Sequence, residues 1–104
     1  MNSLPTIVLG GFSTREPANS DLEMAELESL RVRTELMLAI TRHIQQKQWT
    51  MEEAAHVFHQ SSPRMQNLIN GEISRFSVED LIQLLTRVGL SVQFSVQAPA
   101  ATSI

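Results

Sequence analysis

Residues 50–71, TMEEAAHVFHQSSPRMQNLING, decide how this chain is read. Thr50 followed three positions later by Glu53 is a capping box, in which the Thr hydroxyl accepts one free N–H of a helix start and the Glu reaches back to another. Ala54, Ala55 and Phe58 then fall on one apolar face. The polar break His59-Gln60-Ser61-Ser62 ends in hydroxyls suited to cap a second helix, and Pro63 stands in its first turn, where a missing N–H costs nothing. Met65, Leu68 and Ile69 give that second helix a buried face, and Gly71 follows as a left-handed stop. The spacing therefore predicts two short helices joined by a tight turn. Ser62, Arg64, Gln66 and Asn67 lie near the start of the second helix and off its apolar stripe.

Composition narrows the class of protein. A chain of 104 residues has room for one core of four or five helices. Cysteine is absent, which removes disulfides, thiolate nucleophiles and thiolate metal sites, and fits a reducing cytoplasm. The apolar run at residues 6–12 is too short to span a bilayer, so a soluble, cytoplasmic protein without membrane association is expected. The net charge is −3 but unevenly spread. Residues 1–30 hold Arg15 against Glu16, Asp21, Glu23, Glu26 and Glu28, whereas residues 31–104 hold seven basic and six acidic side chains. A body so poor in Lys and Arg neutralises few phosphates, so DNA binding would need two copies on one site.

Three segments are expected: an N-terminal arm over residues 1–19, a helical domain with a C-terminal strand over residues 20–97, and a flexible tail over residues 98–104. The arm contains Pro5, Gly10, Gly11 and Pro17 and no helical period; its Ile7, Val8, Leu9 and Phe12 suit an extended piece docked on the body. Ser20 and Glu23 open a long helix expected from Asp21 to about Gln46. Leu27, Leu30, Leu36, Ile40 and Ile44 supply its apolar positions, and the drift in phase between Leu30 and Leu36 predicts two helices or a bend. Residues 72–76 read as a connecting loop. Ser77 with Asp80 starts another helix, with Leu81, Leu84, Leu85 and Val88 inward and Gly89 at its end. Leu90, Val92, Phe94 and Val96 then alternate with polar residues, as in a half-buried strand. A lone strand leaves its backbone groups unpaired, so its partner is either the arm or the same strand of a second subunit; the dimer is the expected one.

With these residues placed, the chain resembles the Cro/repressor-type (XRE) helix-turn-helix regulators, and within them the HigA-type antitoxin-like group. The resemblance covers roughly residues 21–97. It rests on residues 50–55, on Ser61-Ser62-Pro63-Arg64, on the loop from Asn70-Gly71 to Arg75-Phe76-Ser77, and on the ending from Leu85 to Val96 with its TRVGLSVQFSV. It implies a mainly α, repressor-like helix-turn-helix bundle of four to five helices followed by one C-terminal β-strand. It also implies a small dimeric protein that binds double-stranded DNA and represses transcription, in many members with a toxin partner. The sequence departs from the family where Met51 replaces a common Gln, where Ser62 replaces a longer polar side chain, and where His59 fills a turn position often held by Gly.

In such a module the start of the second helix meets base edges in the major groove. Arg64 suits a guanine edge or a phosphate, and Gln66 and Asn67 suit adenine, with Ser62 beside them. Thr50, Ser61, Ser74, Arg75 and Ser77 lie at cap or loop positions suited to phosphate oxygens. The bland reading makes all of these caps and solvated faces, which leaves an interaction module that keeps the fold without DNA binding. His43, His56 and His59 lack the carboxylate or cysteine that would complete a metal site. Trp49, just before the Thr50 cap, is expected to staple the helix entrance. Without a glycine-rich phosphate loop, a cysteine or an ordered Ser/His/Asp set, neither enzymatic activity nor a cofactor is expected. The acidic pairs Glu52-Glu53 and Glu79-Asp80 fall in first helical turns, where the helix dipole favours them. The predicted core is Leu36, Ile40, Ala55, Phe58, Met65, Leu68, Ile69, Leu81, Leu84 and Leu85.

Overall fold

The structure, a computed structural model, describes residues 6–8 and 21–96. In order these form β1 (Thr6–Val8), α1 (Asp21–Lys47), α2 (Met51–Val57), α3 (Ser62–Ile69), a 3₁₀ turn (Ile73–Arg75), α4 (Val78–Arg87) and β2 (Ser91–Gln93). The mainly helical bundle with a C-terminal strand is thus as the sequence predicts. The tail at residues 98–104, and the arm apart from Thr6–Val8, lie outside the described residues.

Local chemistry sets each boundary. The Thr50–Glu53 box is closed in both directions, with Glu53 N–H donating to Thr50 Oγ1 at 3.1 Å and Thr50 N–H donating to Glu53 Oε1 at 2.8 Å. Ser77 and Asp80 close the same box at the start of α4, with both bonds at 3.0 Å. Ser61 caps α3 through the N–H of Arg64, and Pro63 occupies its first turn. Gly71 and Gly89 adopt the positive φ expected of helix stops. His59 also takes the left-handed conformation, at φ 57°, between α2 and α3. Gln48 does the same at φ 58° between α1 and α2, with no glycine to mark the turn in the sequence.

α1 packs on α4, and α2 on α3, around one core. Val32, Leu36, Met37, Ile40 and Ile44 enter it from α1; Ala54, Ala55 and Phe58 from α2 and its cap; Met65 and Leu68 from α3; and Leu81, Leu84 and Leu85 from α4. Trp49 lies edge-on to Phe58, with ring centroids 6.1 Å apart, and to His43, at 5.5 Å. It therefore closes the entrance to α2 as expected of a residue before the cap. Burial lowers the His43 pKa from its ordinary value, and nearby Lys47 lowers it further.

Several expectations are corrected. α1 is a single helix of 27 residues, which removes the two-helix alternative of the expected two helices or a bend. The phase drift has another origin: the core begins at Val32, and Leu27 and Leu30 lie on an exposed face instead of continuing the buried one. Ile69 is 41% exposed because it borders a surface groove beside Leu38 at the end of α3. Phe76 stands in the connecting loop as expected, yet it is only 2% exposed and joins the core, where the sequence did not place it. The strand is also shorter than its alternating pattern, and within the chain it pairs with β1, the arm alternative. The two strands run parallel, with Thr6 opposite Ser91, Ile7 opposite Val92 and Val8 opposite Gln93. Leu90 is buried and Val92 half-buried, while Phe94 and Val96 are exposed.

Candidate nucleic-acid interface

Recognition by a helix-turn-helix requires a short helix whose N-terminal polar side chains face outward and whose buried side is fixed rigidly to the body. α3 meets both conditions. Met65 and Leu68 anchor it in the core, whereas Ser62, Pro63 and Gln66 are exposed and Asn67 is half-buried. Gln66 donates from Nε2 to Asn70 Oδ1 at 2.9 Å, one turn along the same helix. The exposed pair therefore forms a pre-ordered amide edge, still able to donate and accept on its outer side.

Arg64 is placed differently. Its guanidinium carbon lies 4.0 Å from the centre of the Phe76 ring. Nη1 donates to the carbonyl of Arg75 at 2.8 Å, and Nη2 donates to Asp80 Oδ2 at 3.3 Å. Two of the five guanidinium N–H donors are thus engaged within the protein. These contacts join the start of α3 to the start of α4. Asp80 Oδ2 also accepts the N–H of Ser77. That backbone bond, aided by the Ser77 hydroxyl and the Arg64 guanidinium and opposed by partial burial, holds the Asp80 pKa below its ordinary value.

The residues expected at phosphates are spread over two places. Ser61 is beside the start of α3, with its Oγ accepting the N–H of Arg64, and Thr50 caps α2. Each hydroxyl that accepts a capping bond keeps its own hydrogen to donate to a phosphate oxygen. Ser74, Arg75 and Ser77 come together on a groove of about 530 Å³ that is also lined by Ser29, Arg33, Phe76, Val78 and Glu79. Arg75 is exposed and bonds Glu72 at 2.6 Å. Arg33 had no part in the sequence reading. From α1 it donates to the carbonyl of Ile73 at 3.1 Å and to that of Ser29 at 3.3 Å, tying the long helix to the 3₁₀ turn. No local motif could have marked it, since its partner lies 40 positions away.

Two departures from the resembled family also find places. Met51 is half-buried against the core, so it packs where a Gln would hydrogen-bond. His59 holds the turn and accepts at Nδ1 from Arg87 Nη1 at 2.7 Å, because a guanidinium can only donate. Of the residues expected on a dimer strand, Leu90 is committed to the core, Val92 packs beside it, and Phe94 and Val96 are exposed past the end of β2. None of the described helices is long and apolar enough to cross a membrane.

No curated protein matches this chain. A family model described as a helix-turn-helix domain matches residues 18–97, the span that holds α1 to α4, the turn at His59 and β2. With most of its length matched, and with α2 and α3 arranged as they are, the chain belongs to the helix-turn-helix domain family.

Proposed function

We propose that the protein is a non-catalytic, homodimeric transcriptional repressor of the Cro/repressor (XRE) type that binds double-stranded DNA through α3. The observation that carries this reading is the exposed polar start of α3, held at a fixed angle by the Arg64 clamp. Ser62, Gln66 and Asn67 are the base-reading set. Ser61, Thr50, Ser74, Arg75 and Ser77 supply phosphate contacts, and Arg64 acts as a positioning residue. A two-fold dimer would read a palindrome with half-sites about one helical turn, or ~34 Å, apart. It would act by occupying its promoter, as a cytoplasmic protein.

The HigA-type form of the reading adds a basic toxin as a second partner. Its support is the acidity of the α1 start, where Asp21, Glu23, Glu26 and Glu28 occur without an intervening basic residue. A second reading, an interaction module that no longer binds DNA, is favoured by the internal engagement of Arg64, the buried packing of Met51 and the net charge of −3.

Selection of the purified protein against a random duplex library, followed by titration of enriched sites at several salt concentrations, separates the two. The repressor reading expects an enriched palindrome whose affinity falls steeply with salt. It also expects Gln66→Ala or Asn67→Ala to relax preference at single base pairs, at about 1–3 kcal/mol each. A folded protein that enriches no sequence would refute it in favour of the interaction module.

A further inference from the structure

The exposed face of α1 has a pattern that neither the core nor the DNA-binding surface uses. Leu27, Leu30, Thr34, Leu38, Thr41 and Gln45 follow one another at intervals of three and four residues, and so share one side of the helix. Leu27 is 58% exposed, Leu30 40% and Leu38 46%. Beside the second half of this stripe lies a groove of about 340 Å³, lined by Thr34, Met37, Leu38 and Thr41 of α1 and by Leu68 and Ile69 of α3. A stripe of leucines at this spacing, flanking an apolar groove, has the form of a helix–helix seam.

The charge order along α1 selects the occupant. Its first ten residues carry Asp21, Glu23, Glu26 and Glu28 and no basic side chain, whereas Arg42 and Lys47 follow Glu35 without another acid. We infer that the groove and stripe hold the α1 helix of a second copy of this chain, antiparallel to the first about a two-fold axis at Thr34. That register brings Leu30 level with the partner's Leu38, Leu27 with the partner's Thr41, Glu26 with the partner's Arg42, and Asp21 with the partner's Lys47. The acidic third of each helix thus runs along the basic third of the other, and the helix dipoles oppose. A parallel pair would set like charges side by side. The two-fold satisfies both copies with one patch, as an isologous interface requires. The inference gives the homodimer of the proposed repressor its interface, on the same acidic start of α1 that the toxin reading uses, so toxin and second copy would compete for it; β2 stays paired with β1.

The full-length chain tests this without DNA. Sedimentation equilibrium at tens of micromolar is expected to give a dimer, and Leu30→Glu with Leu38→Glu a monomer of unchanged circular dichroism, since both positions are outside the core. Because the chain has no cysteine, Thr34→Cys is expected to cross-link to itself with a short bis-maleimide. Leu27→Cys should cross-link in a mixture with Thr41→Cys but poorly alone. Reversing Asp21, Glu23 and Glu26 to Lys should weaken association at least tenfold, and adding Arg42→Glu and Lys47→Glu to the same chain should restore it. A monomeric wild type would overturn the inference. So would a dimer indifferent to the leucine changes and broken by Val92→Asp, which would place the interface on the strand. A dimer that passes these tests but binds no DNA would refute the repressor reading and leave this interface standing.

Discussion

The starts of α3 and α4 follow one plan and part at the third residue after the cap. Each has a serine at the cap, Ser61 or Ser77, whose hydroxyl accepts the N–H of the residue three places on. In α4 that residue is Asp80, which turns back and accepts the cap's own N–H, so the helix start is complete in itself. In α3 it is Arg64, which has no acceptor to offer. The Arg64 side chain therefore leaves its helix, crosses the Phe76 ring and reaches Asp80, its counterpart in α4. A closed box makes a helix end that is stable on its own, whereas the open one makes a helix whose direction depends on a neighbour. The difference falls on the helix that must be aimed.

The strongest way to break this arrangement is to remove its floor. Phe76→Ala takes away a buried ring and the surface under Arg64 together, and should lower stability by about 3–5 kcal/mol, measured by denaturant unfolding. That is a large share of the roughly 5–15 kcal/mol typical of a domain. A loss under 1 kcal/mol would mean that Phe76 is not the support described.

Arg64→Ala should leave the fold intact and cost about 1 kcal/mol, since the ion pair is partly exposed and screened. Its effect on DNA affinity should exceed its effect on stability. Asp80→Asn, which contacts Arg64 but not the polar face of α3, should weaken DNA binding in the same direction. If Arg64→Ala lowers affinity and Asp80→Asn does not, Arg64 reads DNA directly and the positioning role is wrong.

Acid sharpens the comparison further. The Asp80 pKa is depressed in the folded state, so the unfolded chain binds its proton first as pH falls below the ordinary value of 3.8. The stability that Asp80 contributes is fully present above that value and is lost as pH drops through the folded one. Asp80→Asn should flatten this part of the stability profile. His43 acts in the same direction at higher pH: its lowered pKa means that stability declines as pH falls below 6.5, and His43→Gln should remove that slope. The caps themselves come last, with Ser61→Ala and Ser77→Ala each costing about 0.5–1 kcal/mol. The closed box should lose more than the open one.

What the sequence revealed was local. Thr50 with Glu53, Ser77 with Asp80, Pro63 and the two terminating glycines each place a helix end by chemistry within four residues, and all stand where expected. The contacts of Arg64 are not legible in the sequence because its partners lie 11 and 16 positions ahead, beyond the reach of any helical period. Ile69 was misplaced because spacing identifies an apolar face but not where the neighbouring helix ends. Leu27 and Leu30 gave a true signal of helix and a false one of burial, since an exposed seam and a core face share one periodicity. The choice between an arm and a second subunit as the partner of β2 rested on backbone pairing alone, which either could satisfy.

The parallel pairing of β1 with β2 joins opposite ends of the described chain, with Thr6 opposite Ser91. Its closure entropy is repaid only after the helices between have assembled, so this ladder is expected to form last and to open first. Trimming the chain through Val8 would spare the helical body and strip a neighbour from β2. The bare edge so created, followed by exposed Phe94 and Val96, would be a template for strands from other molecules.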